Sequence, residues 1–323
     1  MRQKLIINLR PDQAELLRKL NMTHTINARL YLVLTFLMLA TPLLTLAADE
    51  QPEAIPYGNN PQAGHHADVN GIAMYFETYG SGKPLLLIHG NGQSIAAMHF
   101  QVEHFARSYQ VIVADSRGHG KSALGTDHLT YIQMMEDYNA LLDQLNVSKA
   151  NIIGWSDGGI LSLLLAIHHP DKVNKMAIMG ANLRPDETAV NAWTHELLEP
   201  FSKTVDEMIR SKDTTADWLL NRQLLDLLMT QPDIALESLR QIEAPVLVMA
   251  GDKDIIRTGH TVEIFDNLRQ AHLAILPGST HWAPQTDPAG FNALVETFFA
   301  TPYTRPESRV VLARELNPPA SAD

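Results

Sequence analysis

Apolar residues along this chain recur in two kinds of segment. Short runs rich in β-formers occur at 73–78, 84–89, 110–115, 151–154, 175–179, 245–250 and 273–276. Several are continuously apolar, as in PLLLIH and PVLVMA, which is the pattern of strands buried on both faces of a parallel sheet. Longer stretches with helical spacing lie between them, at 94–106, 131–145, 160–168, 262–271 and 288–299. Alternating strands and helices predict a doubly wound, mostly parallel α/β sheet. Ligands of such sheets sit at the carboxyl ends of the strands.

The alternation lapses over 183–241. This stretch has no good strand but carries helically spaced apolar residues, among them Trp193, Leu197, Leu198, Phe201, Met208, Trp218 and Leu225. A long helical insertion between two strands, at the edge where ligands bind, reads as a cap. Most of its apolar residues are expected to pack the cap onto the body. A minority, with Trp193 and Trp218 as the candidates, are expected to face a pocket.

A second lapse is shorter. The run from Asn151 to Leu165 is interrupted by Gly154-Trp155-Ser156-Asp157-Gly158-Gly159. A strand that turns directly into a helix forces its apex residue toward strained backbone angles. Its neighbours then come too close for side chains, and glycines two before and two after the apex remove the clash. Ser156 would stand exposed at a helix N-terminus, where free N–H groups favour developing negative charge. This is the G-x-S-x-G nucleophile elbow, a pattern with little weight until its partners are found.

A serine nucleophile needs a base, a carboxylate to orient the base, and donors for the oxyanion. Of 14 histidines, only His281 follows the final strand on a Gly-containing loop. His89 and His119 lie in tight turns that suit structural roles. After the 245–250 strand, Asp252 and Asp254 compete for the acid. Asp252 lies in the turn, where it bonds backbone N–H groups, and Asp254 is better placed to point back at the base. The oxyanion donors would be the backbone N–H groups of Asn91, in His89-Gly90-Asn91-Gly92, and of Asp157.

With these residues in place, the chain resembles an α/β-hydrolase-fold serine hydrolase over about residues 68–300. The resemblance is carried, in order, by His89-Gly90-Asn91-Gly92, by Asp115-Ser116-Arg117-Gly118-His119-Gly120-Lys121-Ser122, by the elbow, by Gly251-Asp252-Lys253-Asp254 and by Gly278-Ser279-Thr280-His281. Gly-Trp-Ser-Asp-Gly-Gly is most similar to biphenyl-hydrolase-like or valacyclovirase-type members, which hydrolyse amino-acid esters. The resemblance implies a Ser156–His281–Asp254 triad cleaving a small carboxylic ester, lactone or amide, with no cofactor. It casts Arg117 as a fastener of its loop. An acyltransferase or perhydrolase on the same triad, or a ligand-binding protein that kept the fold, are the alternatives. Asp157, beside the nucleophile, is a candidate to bind a substrate ammonium; otherwise it faces solvent or caps its helix.

Composition narrows the partners. There are no cysteines, which removes disulfides, thiolate catalysis and Cys-based zinc sites. A net charge of −11 argues against nucleic-acid binding, so the expected partner is a small-molecule substrate. Residues 30–47 are uncharged and apolar, follow Arg29 and precede an acidic stretch. They read as a secretory signal or an uncleaved membrane anchor, and both place the body outside the cytoplasm (periplasmic or secreted). Met22 is an alternative start. The expected organisation is therefore signal or anchor at 1–48, linker at 49–64, hydrolase domain at 65–300 with its cap at 183–241, and a polar tail at 301–323.

Overall fold

Each apolar run becomes a strand because alternate side chains bury on opposite faces of one sheet. A computed structural model describes residues 55–316. The signal or anchor segment and the Met22 start lie outside the described residues. The strands are β1 (Gly64–Val69), β2 (Ile72–Tyr79), β3 (Lys83–Ile88), β4 (Tyr109–Ala114), β5 (Ala150–Trp155), β6 (Val173–Met179), β7 (Val246–Lys253) and β8 (Ala271–Thr280). They form one sheet in the order β1-β2-β4-β3-β5-β6-β7-β8. β1–β2 and β2–β4 pair antiparallel, and the other neighbours pair parallel, with Leu86 opposite Ile152 at the centre.

Leu86, Ile88, Ile112, Ile152 and Met176 join the core on one face of the sheet. There they meet α2 (Tyr131–Gln144) and α3 (Asp157–His168). Leu85, Leu87, Val113, Ile153 and Trp155 join the core on the other face, under α1 (His99–Phe105) and α8 (Pro288–Ala300). Burial on both faces explains why these strands read as unbroken apolar runs.

The insertion is helical, with α4 (Ala192–Ser211) and α5 (Trp218–Thr230). Val205, Trp218 and Leu225 form a small core between them. After it come α6 (Thr258–Asn267), the single turn α7 (Ala283–Thr286) and α8. Three observations differ from the sequence reading. β1 is an edge strand whose polar residues alternate with only two buried ones, Ala67 and Val69, so it lacks an apolar run. Residues 55–63, read as part of a linker, are fastened to the body. The buried Glu77 carboxylate accepts the N–H groups of Gly58 and Asn60 and the hydroxyls of Tyr75 and Tyr79. Within the tail, Ser308–Leu316 is an exposed helix, α9.

Candidate active site

At the end of β5 the chain turns straight into α3. Ser156 sits at the corner with φ 57° and ψ −118°, a conformation L-residues rarely hold. A Cβ at Gly158 would strike the carbonyl oxygen of Ile88, and one at Gly154 would strike the Gly158 carbonyl and the Ser162 hydroxyl. The two glycines are therefore required for α3 to leave the sheet at this angle. The Ser156 N–H donates to the Met179 carbonyl, 2.8 Å, which pins the corner to β6.

His281 follows β8 directly. Its Nε2 lies 2.9 Å from Ser156 Oγ, and its Nδ1 lies 2.7 Å from Asp254 Oδ1. Asp254 is buried and accepts only, so Nδ1 carries the proton and Nε2 presents its lone pair to the serine hydroxyl. The Asp254 carboxylate also accepts the N–H groups of Ile256 and Gly251, at 3.0 and 3.2 Å. Trp155 Nε1–H donates to the His281 carbonyl, 2.8 Å. Gly180 has φ +65°, and a Cβ there would lie 2.6 Å from the imidazole. Thus the residue before Ser156 and the residue after β6 both set the position of the ring. Of the two competing aspartates, Asp254 meets the histidine, while Asp252 accepts the Gly278 N–H, 3.0 Å, across the neighbouring loop.

The His89-Gly90-Asn91-Gly92 loop passes over Ser156, with a Cβ at Gly90 reaching 3.0 Å from that of Ser156. Two buried imidazoles hold this loop and the next. His89 Nδ1–H donates to the Gly90 carbonyl and Nε2 accepts the Ser116 N–H; His119 Nδ1–H donates to the Arg117 carbonyl and Nε2 accepts the Gly92 N–H. Burial pushes both down to about 4, so they stay neutral and can accept. Arg117 makes a bidentate, fully buried pair with Asp137, both bonds 2.7 Å, and also reaches the carbonyls of Leu124 and Asn70. The backbone N–H groups of Asn91 and Asp157 donate to no acceptor among the described residues.

The Asp157 side chain neither faces solvent nor caps its helix. It is buried and accepts from Asn91 Nδ2, 3.0 Å, and from the Tyr131 hydroxyl. Burial raises its carboxyl to about 6, against the pull of those two donors and of His281. No lysine or arginine pairs with it among the described residues. Asn91 Nδ2 also donates to the Leu224 carbonyl, 3.2 Å, and so ties the loop to α5 of the cap.

Ser156 and Asp157 open into a largely apolar cavity of about 240 Å³ between body and cap. Trp193 lines it. Trp218 does not: it packs inside the cap with Val205 and Leu225, and its indole N–H donates to Asp213, 2.7 Å. A tryptophan on an amphipathic cap helix serves either purpose, and here the small cap core claims Trp218. Tyr131, Asn182 and Trp282 also line the cavity and were not singled out from sequence. Trp282 had the clearest signal, a large aromatic directly after His281. No cluster of three or more His, Asp or Glu suited to a metal ion occurs among the described residues.

Residues 83–227 match the model of the α/β hydrolase fold. The chain is 27% identical over 255 residues to the (E)-2-((N-methylformamido)methylene)succinate hydrolase of Acinetobacter baylyi, covering 72% of this chain and 95% of that enzyme. It is 27% identical to human serine hydrolase BPHL, covering 71% of this chain and 84% of that protein. The solved structure of Est816, described as an N-acyl homoserine lactone degrading enzyme, superposes with a TM-score of 0.61 at 25% identity, covering 72% of this chain and all of that one. The chain has the α/β-hydrolase fold, and biphenyl-hydrolase-like serine hydrolases are among the proteins it is similar to. Its relatives are hydrolases that differ in the bond they cleave.

Proposed function

We propose that this protein is a serine hydrolase that cleaves a small carboxylic ester, lactone or amide through an acyl-enzyme. The observation that carries this reading is the hydrogen-bonded series Ser156–His281–Asp254, its open end facing the cavity. His281 Nε2 takes the hydroxyl proton as Ser156 Oγ attacks the substrate carbonyl. Asp254 holds the imidazole tautomer and stabilises the imidazolium. The uncommitted N–H groups of Asn91 and Asp157 receive the oxyanion. His281 then returns the proton to the leaving group, and water repeats the sequence on the acyl-enzyme.

The test treats wild type and Ser156→Ala with a fluorophosphonate probe and p-nitrophenyl acetate in parallel. Labelling and turnover are expected in wild type, and both are lost in the variant. A folded wild type that shows neither would overturn the reading and leave a ligand-binding protein.

One observation favours a narrower reading. The Asp157 carboxylate lines the cavity with no cationic partner among the described residues, which suits a substrate that brings its own ammonium group, such as an α-amino ester. Asp157→Asn is expected to lower the rate on aminoacyl esters more than on plain acyl esters; equal relative rates would remove it. Export of the body, through residues 30–47, belongs to the same proposal. N-terminal sequencing of the mature chain tests it.

A further inference from the structure

The described residues include ten large apolar side chains that stand exposed. Four of them lie on α9, and Ile55, Ile132 and Leu219 lie apart from the cavity. The other three are Trp193 and Leu197 on α4 and Trp282 beside His281, at 45%, 61% and 45% exposure. All three line the cavity that holds Ser156. Trp193 and Leu197 are one helical turn apart and so share a face of α4. Trp282 comes from the opposite wall, on the loop after β8. Exposed tryptophan and leucine are disfavoured in water, and their convergence on a single mouth marks a binding surface. The wall behind them is apolar as well, with Val190, Leu198, Leu228 and Ile256.

We infer that Trp193, Leu197 and Trp282 form a rim that grips an apolar arm of the substrate too long for the inner cavity, so that the preferred ester carries a medium-length alkyl or aromatic group. This deepens the hydrolase reading above and rests on it. The arm leaves water along the rim while the carbonyl sits over Ser156. Each methylene that reaches the rim lowers the free energy of the bound state, and selectivity climbs with chain length until the arm passes Leu197.

The arm could be the acyl or the alcohol part, and two substrate series separate them. p-Nitrophenyl esters from acetate to dodecanoate vary the acyl arm, and alkyl acetates from ethyl to octyl vary the alcohol arm. In one series kcat/KM is expected to rise about tenfold or more between the shortest and the middle chains. Trp193→Ala, Leu197→Ser and Trp282→Ala each reduce that long-to-short ratio, by roughly fivefold for the tryptophans. Leu219→Ser, exposed on α5 outside the cavity, keeps the wild-type ratio. Inhibition by alkylboronic acids of increasing length should show the same climb without turnover, which covers a variant whose catalysis is impaired.

Three results would overturn the inference. The first is a flat or falling profile in both series, with acetate still turned over. The second is an unchanged ratio in all three rim variants. The third is a rate that rises only above the solubility limit of the substrate, which would assign the rim to a lipid aggregate surface instead. No turnover of any ester, with no fluorophosphonate labelling, would instead remove the hydrolase reading itself.

Discussion

Two walls enclose one cavity, and they are built by different rules. On the body side, every proposed catalytic group stands at the end of a strand and is fixed by backbone contacts: Ser156 by a corner only glycine neighbours permit, His281 by Trp155 and Gly180, Asp254 by two N–H groups. On the cap side, α4 runs for twenty residues with one of them, Val205, fully buried, and it offers exposed Trp193 and Leu197 to the cavity. The contrast teaches where a change is tolerated. On the proposed reading the body wall fixes the reaction because its geometry is over-determined. On the same proposed reading the cap wall fixes the choice of substrate, because its side chains can change without disturbing the sheet.

The comparison breaks first at the acid. Asp254→Asn on the body side should lower kcat about 10⁴-fold, because the wrong imidazole tautomer then faces Ser156. Steady-state rates on p-nitrophenyl acetate, with circular dichroism to confirm the fold, measure this. A loss below about tenfold would mean that the hydrogen bond does not orient the base. Next in size is Gly158→Ala, whose methyl group would strike the carbonyl of Ile88, a backbone atom of the central strands. Urea unfolding should show a loss of about 4 kcal/mol, whereas Leu219→Ala on the cap stays within about 0.5 kcal/mol.

Asp157 sharpens the same contrast through pH. Burial raises its carboxyl from 3.8 to about 6. A carboxyl that binds its proton more tightly when folded destabilises the fold once ionised. The penalty is absent below about pH 4, grows up to about pH 6 and is complete above it. Asp157→Asn should therefore stabilise the protein by about 3 kcal/mol near pH 8 and by little near pH 4. Urea midpoints at the two pH values decide it, and equal gains at both would contradict the buried charge. The smallest effect is expected where the walls meet. Asn91→Ala unties the proposed oxyanion loop from Asp157 and from the Leu224 carbonyl. It should lower kcat by about tenfold with little change in KM, since the loop's N–H is placed less well.

The same division decides what could be read from sequence. The elbow was legible because a positive-φ serine between strand and helix demands glycine at two fixed offsets, and the pattern gained weight once Asp254, His281 and the Asn91 loop were found in the required order. His281 was legible by its place after the last strand. The cap was legible as an insertion, but its inner face was not. An amphipathic helix gives the same spacing whether an apolar residue faces the cavity or a neighbouring helix, so Trp193 and Trp218 could not be told apart. Strand β1 escaped because edge position leaves it only two buried residues. The Glu77 clamp escaped because its donors, Gly58 and Asn60, are backbone groups in a segment with the composition of a linker.

The most direct test of the central claim, that the body wall alone sets up the nucleophile, is peptide mapping of the fluorophosphonate-treated protein by mass spectrometry. The account predicts a single adduct on Ser156, abolished in His281→Ala and retained in Trp193→Ala. An adduct on another residue, or one that survives loss of His281 undiminished, would contradict it.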